Sequence, residues 1–339
     1  MLSSNNLFEK RNLLQKEIKH KLISTNISNI KKNESKALLL LGISNWLELS
    51  YILDCSPLKL EQLINHPVYI KFFIPKRKGK PRAISQPNKE LMRIQRRLNI
   101  YLQAIYSFQV PDCVHGFIPK TSTHKRSIIS NASAHIGKKH ILSVDLKDYF
   151  QSIKASRIKT IFTSWGLSNE ISTALTLLCV YEGCLPTGAP TSPVLANICT
   201  YELDQRLIQF SKERNITYTR YADDLTFSSN IYFYQEIISY ISILIQECKF
   251  QINTEKLRLT GNNKKQKVTG IIVNEKLSVD RTLKKKIRAR LHDIERNGIS
   301  VATKKYYQIN RIPNKSEEAY FMNNTNGLLS FIKMVEQEK

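Results

Sequence analysis

The sequence contains no apolar run long enough to cross a bilayer, which takes about 20 residues. Its most apolar stretch, residues 37–53, is interrupted by Asn45 and Glu48 and predicts a buried helix instead. The first ten residues, MLSSNNLFEK, lack the apolar run of a secretory signal. We therefore expect a cytoplasmic protein with no membrane partner.

The sequence also lacks a Cys-x-x-Cys pair. Its six cysteines are scattered, and its seven histidines are not spaced with them as metal ligands. This pattern argues against a disulfide framework and against a structural zinc site. Reduced and mostly buried thiols are the expected state in the cytoplasm.

Acidic residues are scarce relative to basic ones. The chain has 52 Lys plus Arg and 28 Asp plus Glu, a formal net charge of +24. This excess is far larger than solubility requires and indicates an anionic partner. A membrane binder would need an amphipathic basic helix or a spanning segment, and the sequence contains neither. Nucleic acid is therefore the predicted partner.

Hydrophobic periodicity divides the chain into three parts. Residues 1–66 have apolar residues in helical spacing and predict an N-terminal helical extension, in which Ser56-Pro57 marks a helix start. Residues 67–279 alternate strand-like and helix-like segments and begin with a strand pair around a basic loop. Residues 280–339 are basic and predict a small helical module. The predicted fold class is therefore mixed α/β (α+β).

Carboxylates follow two strand-like segments. Asp223 and Asp224 lie between β-forming residues, and Asp145 ends the apolar run at 141–144. An Asp-Asp pair alone is more often a solvated turn. Adjacent carboxylates repel each other, however, and a bound cation removes that cost. A third carboxylate on another strand favours a site for two Mg²⁺ ions, which prefer oxygen ligands.

Five motifs, in order, resemble those of retron-type bacterial reverse transcriptases. They are NASAH at 131–135, VDLKDYF at 144–150, LPTGAPTSP at 185–193, YADD at 221–224 and VTG at 268–270. The resemblance covers about residues 69–275. It implies a right-hand polymerase fold, with fingers and palm in residues 67–279 and a short helical thumb in residues 280–339.

The resemblance also implies roles for individual residues. It makes Asp145, Asp223 and Asp224 the catalytic residues and the ligands of the two Mg²⁺ ions. It places Arg82 on the triphosphate of the incoming dNTP, where Lys76 or Lys80 could add a second positive charge. Both residue types suit phosphate, since Arg offers a planar fork of donors and Lys a point charge. A solvated basic loop is the alternative for each lysine.

Three further residues are implied to bind the dNTP. Phe150 would lie under the sugar and exclude a ribose 2′-hydroxyl. Gly188 would let the backbone approach the base pair closely. Lys256 would protonate the leaving pyrophosphate as a general acid. Thr187 departs from the family pattern, because many retroviral relatives have glutamine there.

The remaining residues singled out by the resemblance concern RNA and primer. Asn131 and His135 would share a helical face, either as a structural pair or as an RNA contact. Val268, Thr269 and Gly270 are implied to lie near the primer terminus. In the basic C-terminal module, Lys285 and Arg288 suit a helix that grips an RNA stem through its backbone.

The implied activity is RNA-directed DNA synthesis on a cognate noncoding RNA. In retrons this RNA acts as template and primer, a 2′-hydroxyl of the RNA starts the DNA, and the product is multicopy single-stranded DNA (msDNA). The resemblance further implies antiphage defence with an effector protein of the same locus. Since the chain has no second acidic constellation after the palm motifs, a host RNase H would remove the template.

Three alternatives stay open at the level of sequence. One is another bacterial reverse transcriptase, of the group II intron or abortive-infection type. Another is a catalytically silent RNA-binding scaffold, against which the intact aspartates argue. The third is a nuclease that uses the same carboxylates, which leaves the aromatic Phe150 and the Arg82 segment without a role.

Overall fold

The computed structural model describes residues 32–75, 81–119 and 126–337. Lys76 and Lys80, the lysines predicted near the dNTP, lie outside the described residues, as do residues 1–31 of the predicted N-terminal extension. Within the described ranges, helices surround antiparallel sheets. The predicted mixed α/β class is therefore confirmed.

The described part of the chain begins with a group of short helices. They are α1 (Lys32–Leu41), α2 (Trp46–Leu53) and α3 (Pro57–Asn65). The prediction of one buried helix over residues 37–53 is wrong, because α1 ends at Leu41 and the Asn45 side chain caps a new helix. The predicted start of α3 is confirmed, since Ser56 caps it and Pro57 takes its first position.

A β-hairpin follows, as the sequence predicts. Strands β1 (Tyr69–Ile74) and β2 (Arg82–Pro87) are antiparallel and lead into α4 (Lys89–Tyr106). Buried leucines of α1, α2 and α3 share one hydrophobic core with α4 and with the central sheet. The described part of the predicted extension therefore packs as part of the same body.

The central sheet is antiparallel, with the strand order β4-β5-β3-β6. Its strands are β3 (His140–Asp145), β4 (Thr217–Tyr221), β5 (Asp224–Ser229) and β6 (Arg258–Gly261). Helices packed around it are α5 (Ile128–Ser133), α6 (Tyr149–Ser152), α7 (Ala155–Ser164), α8 (Asn169–Cys179), α9 (Ser192–Glu213) and α10 (Gln235–Glu247). Burial of Leu142, Val144, Leu225 and Phe227 fixes the positions of β3 and β5, and with them the strand ends that carry the aspartates.

A second hydrophobic core holds the C-terminal part. The small strands β7 (Lys267–Val268) and β8 (Ile271–Ile272) pack with α5 and with the long helices α11 (Arg281–Tyr307) and α12 (Lys315–Gln337). Besides Ile129, Ala132 and Ile141, this core includes residues from Val268 onward, ahead of the predicted boundary at residue 280. Among the described residues, no helix is long and apolar enough to span a membrane.

Candidate active site

The ends of two neighbouring strands bring the predicted carboxylates together. Asp145 is the last residue of β3 and pairs in register with Asp224, the first residue of β5. Asp223 precedes it in the turn between β4 and β5, and the Asp223 carbonyl accepts a hydrogen bond from the Leu146 amide at 3.0 Å. The three aspartates therefore lie at one edge of the sheet.

The turn that carries Asp223 is tightly enclosed. Ala222 has a φ of 59°, in the left-handed region that residues with a Cβ adopt infrequently. A Cβ added to Gly116 would lie 2.6 Å from the Ala222 nitrogen and 3.1 Å from the Tyr221 carbonyl carbon. Only glycine at position 116 lets this segment lie against the turn.

Asp145 is buried, and neighbouring side chains engage both of its carboxylate oxygens. The Lys256 Nζ donates to Oδ2 at 2.7 Å, and the Asn253 Nδ2 donates to Oδ1 at 3.2 Å. The backbone amide of Asn253 also donates to the backbone carbonyl of Asp145 at 2.8 Å. Among the described residues, no three acidic, histidine or cysteine side chains already surround a common point. The ammonium group of Lys256 is thus the cation that sits on Asp145 here.

Burial and the closely spaced negative charges at this edge shift the pKa values of its side chains. Removal from solvent and the carboxylates of Asp223 and Asp145 raise the pKa of Asp224 to about 6. Burial also raises the pKa of Asp223, while Lys256 and Arg82 oppose that rise. Burial disfavours the charged form of Lys256, but its hydrogen bond to Asp145 and the negative charges of the three aspartates together raise its pKa. Lys256 is therefore protonated at neutral pH, and a cation placed between the aspartates would be stabilised.

An open cavity of about 640 Å³ lies above this edge. Its lining includes Asp145, Asp223, Arg82, Phe150 and Lys256, which are five of the residues singled out from the sequence. The Phe150 ring packs against Phe117, with 6.0 Å between ring centroids. The cavity therefore combines carboxylates, a guanidinium, lysine side chains and an aromatic wall.

The structure explains why glycine is required at position 188, and the reason differs from the expected approach to the base pair. It has a φ of 130°, and a Cβ there would lie 2.9 Å from the Ser85 carbonyl oxygen of β2. The neighbouring Thr187 carbonyl accepts a hydrogen bond from the Ser85 amide at 2.9 Å. The backbone that approaches Gly188 closely in this structure is thus that of the hairpin. Thr187 lines the cavity, and its hydroxyl accepts a hydrogen bond from Gln151 at 2.9 Å.

The two motifs at 131–135 and 268–270 lie away from the cavity and contact each other's elements. His135 is fully buried, with ring nitrogens 2.6 Å from the Ser228 hydroxyl and 2.7 Å from the Thr219 hydroxyl. The Asn131 side chain is also fully buried. Their burial argues against direct RNA contact and fits the structural alternative, although α5 ends at Ser133 and does not include His135.

The Val268-Thr269-Gly270 segment is part of the second core. Val268 is buried, and the Thr269 hydroxyl donates to the Ile128 carbonyl of α5 at 2.9 Å. Thr269 and Gly270 both have positive φ, as a tight turn between β7 and β8 requires. Lys285 and Arg288 are exposed on α11, the helix packed on this segment. Of these predicted RNA and primer contacts, Asn131, His135 and Val268 are buried, Thr269 is partly buried, and Gly270, Lys285 and Arg288 are exposed.

Sequence reasoning missed several residues that hold the site. Asn253 bonds Asp145, and Gln151 bonds Thr187 at the cavity wall. Arg220 and Asp204 form a fully buried ion pair behind the turn. The sequence did contain a signal for this ion pair, since Arg220 lies two residues before Ala222 in an otherwise strand-like run. A charge at an inward-facing strand position needs a partner of opposite charge.

The chain is similar to known reverse transcriptases. Residues 74–273 match the reverse transcriptase (RNA-dependent DNA polymerase) family. The retron Mx65 reverse transcriptase of Myxococcus xanthus is 31% identical over 80% of this chain and 62% of the relative. The retron Ec86 reverse transcriptase of Escherichia coli is 38% identical over 50% of this chain and 53% of the relative.

A third relative is matched over more of its length. The retron Ec73 reverse transcriptase of Escherichia coli is 31% identical over 65% of this chain and 74% of the relative. By contrast, the chain spans only about half to three fifths of the Mx65 and Ec86 enzymes. The family match covers the hairpin, the central sheet and the β7–β8 segment, so the expected right-hand polymerase fold is confirmed. The chain therefore belongs to the reverse transcriptase family and, within it, to the retron reverse transcriptases.

Proposed function

We propose that this chain is the RNA-directed DNA polymerase of a retron. The observation that carries the proposal is the meeting of Asp145, Asp223 and Asp224 at one sheet edge, below a cavity lined by Arg82 and Phe150. Phosphoryl transfer needs positioned charge more than a protein nucleophile. The cavity supplies charges of both signs and is open enough for a nucleotide and a primer end.

Asp145, Asp223 and Asp224 are the residues that would hold two Mg²⁺ ions. Hard oxygen donors of this kind suit Mg²⁺. Burial and, after it, the neighbouring carboxylates raise the pKa values of Asp223 and Asp224, and a divalent cation would relieve the repulsion between these groups. When bound, the ions would activate the primer hydroxyl and stabilise charge on the transferring phosphate. Lys256 would leave Asp145 when the ions bind.

The remaining cavity residues would orient the dNTP. The Arg82 guanidinium would bind the triphosphate, with Lys76 as a second cation. Lys256, protonated at neutral pH, would donate its proton to the leaving pyrophosphate. Phe150 would block a ribose 2′-hydroxyl. Gly188 would keep the loop after Thr187 against β2, so that the hairpin and the nucleotide site move together.

The finer assignment concerns the nucleic acid. In this proposal a cognate noncoding RNA is both template and primer, DNA starts on a 2′-hydroxyl of that RNA, and the product is msDNA. Lys285 and Arg288 would bind the RNA backbone from α11. The second core, with Asn131, His135 and residues 268–270, would hold that helix against the central sheet. Host RNase H would remove the template, and an effector protein of the same locus would use the product in antiphage defence in the cytoplasm.

Primer extension tests the enzymatic part. The purified chain is incubated with a labelled DNA primer on an RNA template, dNTPs and Mg²⁺, beside Asp223→Asn and the matched control Asp148→Asn. Asp148 also lines the cavity, but its exposed side chain is not at the sheet edge. We expect extension by the wild type and Asp148→Asn only. Degradation of the labelled strand would favour a nuclease, and RNA binding without synthesis would favour a scaffold.

The retron part has its own test. The chain is purified from cells that carry its native locus, treated with RNase, and analysed for bound DNA on a denaturing gel. A discrete short single-stranded DNA that is absent with Asp223→Asn is the expected result. Extension on added templates without such a DNA would favour a group II intron-like or abortive-infection enzyme.

A further inference from the structure

The turn that carries Asp223 is backed by a buried ion pair. Arg220 on β4 and Asp204 on α9 are both inaccessible to solvent. The Arg220 Nε donates to Asp204 Oδ1 at 2.8 Å, and Nη2 donates to Oδ2 at 2.6 Å. The Tyr218 hydroxyl donates to the same carboxylate at 2.9 Å. With both oxygens engaged, Asp204 is a partner of Arg220 rather than a candidate metal ligand.

The remaining nitrogen of the guanidinium faces the turn. The Arg220 Nη1 donates to the Ala222 carbonyl at 3.1 Å and to Asn197 Oδ1 at 2.9 Å, and it lies 3.3 Å from the Tyr149 hydroxyl. Asn197 in turn donates from Nδ2 to the Gly116 carbonyl at 3.1 Å. Gly116 lies directly against the Ala222 nitrogen, where an added Cβ would not fit. The network therefore contacts the turn at Ala222, directly before Asp223, through the Arg220 guanidinium and through Gly116.

The backbone of Arg220 adds to this arrangement. Its amide donates to the Cys113 carbonyl at 2.7 Å, and its carbonyl accepts from the His115 amide at 2.8 Å. These bonds hold the segment that ends at Gly116 along the free edge of β4. Arg220 thus connects α9, the edge of the sheet and the turn through one side chain and one peptide unit.

Stability alone gives a weak reason for such a pair. Taking two charges out of water is costly, and well-packed apolar residues of similar volume often serve as well or better. What an apolar pair cannot do is donate a hydrogen bond to the Ala222 carbonyl or hold Asn197. The hydrogen bonds that apolar residues cannot replace are therefore those made to the turn and to Asn197. Ala222 in this turn has unfavourable left-handed dihedrals.

We propose that Arg220, anchored by Asp204 and linked through Asn197 to Gly116, is a positioning residue that holds Asp223 in the geometry needed to bind a divalent cation. This inference rests on the proposed function, in which Asp223 is a metal ligand. Arg220 touches no substrate and acts only through the turn. A displacement of the carboxylate by about 1 Å would weaken metal binding and slow the reaction, since misplacement of that size costs up to about a hundredfold in rate.

The test uses an apolar replacement of the whole pair in the full-length chain. Arg220→Met combined with Asp204→Leu leaves no lone buried charge to oppose folding. Arg157→Met is the matched control, because Arg157 also lies in the palm and donates to two backbone carbonyls, those of Cys248 and Cys199, away from the turn. Unfolding temperature, Mn²⁺ affinity by electron paramagnetic resonance, and primer-extension kinetics are measured for each.

We expect the double variant to unfold near the wild-type temperature, to bind Mn²⁺ at least about tenfold more weakly, and to lose about tenfold or more in kcat. KM for the dNTP should change little, because Arg82 and Phe150 are untouched. The control should keep wild-type values of metal affinity and kcat. A folded double variant with wild-type Mn²⁺ affinity and kcat would overturn the proposal.

A second variant covers loss of folding in the double variant. Asn197→Ala keeps the ion pair and removes only the link from Arg220 to Gly116. A drop in Mn²⁺ affinity with an unchanged fold supports positioning, and wild-type affinity refutes it. The proposed function is judged separately by the wild type, since a wild-type chain that binds Mn²⁺ but extends no primer contradicts polymerase activity and leaves the positioning test intact.

Discussion

Asp145 and Asp224 face each other across β3 and β5, as directly paired residues at the ends of two antiparallel strands. Opposed like charges at a paired position destabilise a sheet. Lys256 neutralises Asp145 at 2.7 Å, whereas among the described residues no salt bridge to Asp224 is found, and burial and the neighbouring carboxylates raise its pKa to about 6. The pairing is therefore unfavourable for stability in the metal-free chain and supports the proposal that this edge of the sheet binds cations.

Replacing Asp224 should have opposite effects on stability and activity. Because the folded chain disfavours the ionised carboxylate, Asp224→Asn should raise the unfolding temperature near pH 7 in the presence of EDTA. Below about pH 4 the difference should vanish, since the carboxyl is then protonated in both folded and unfolded chains. Primer extension should fall about a thousandfold, as loss of metal-based charge stabilisation implies. Calorimetry that finds the variant less stable at neutral pH would contradict this explanation.

Gly116→Ala should disable the turn without unfolding the chain. The new Cβ would lie 2.6 Å from the Ala222 nitrogen, so the turn and Asp223 must shift. We expect primer extension to fall by about tenfold or more, because placement of reacting groups is sensitive to about 1 Å. Gly327→Ala in α12 is the control, since a Cβ there meets no atom within 4 Å. That change should stabilise the chain by roughly 0.5–1 kcal/mol in urea denaturation and leave activity unchanged. Equal activities for the two variants would rule out the enclosed turn as the cause.

Phe150→Ala should relax selection against ribonucleotides. The ring lines the cavity beside the aspartates and is held by Phe117, so its removal opens space near the sugar. We expect the ratio of dNTP to rNTP incorporation, measured as kcat/KM for each, to fall by about tenfold or more. Phe73→Ala, on a side chain that is 72% exposed on β1, is the control and should leave the ratio unchanged. An unaltered ratio in both variants would remove Phe150 from the nucleotide site.

His135 should make folding stability depend on pH. Burial, with smaller effects of His115 and Lys138, lowers the pKa of His135 to about 3. The unfolded chain takes up a proton below about pH 6.5, whereas the folded chain does so only near pH 3, so stability falls as pH decreases through this window. Between about pH 7.5 and 5.5 this histidine should cost roughly 1 kcal/mol. In urea denaturation, the free energy of unfolding of His135→Gln should fall over this pH interval by roughly 1 kcal/mol less than that of the wild type. An identical loss in both proteins would mean that the folded chain protonates His135 easily.

Thr269 should stabilise the packing of the turn between β7 and β8 against α5. Its hydroxyl donates to the Ile128 carbonyl at 2.9 Å. Thr269→Val keeps the branched shape and removes the donor, so the free energy of unfolding should fall by about 1 kcal/mol. Thr269→Ser keeps the donor and should keep the hydrogen bond. If the valine and serine variants are equally stable, the hydrogen bond contributes nothing measurable.

The sequence alone predicted several local elements and the family. Turn residues around a basic loop predicted the β1–β2 hairpin, and the Ser56-Pro57 pair predicted the start of α3. The order of the motifs predicted the family and nominated Asp145, Asp223, Arg82, Phe150 and Lys256, which line one cavity. These features depend on residue type and spacing, which short-range sterics and hydrogen bonding translate directly into local structure.

Only the tertiary structure decided which distant groups meet. The pairing of Asp145 with Asp224, the contact of Lys256 and Asn253 with Asp145, and the burial of Arg220 against Asp204 all depend on strand register and helix packing. The structure also shows that His135, for which a structural role and an RNA contact were both open, lies against the Ser228 hydroxyl, and that Thr269 donates to the Ile128 carbonyl. Register and packing arise from the simultaneous burial of side chains far apart in the chain, so no local pattern could reveal them.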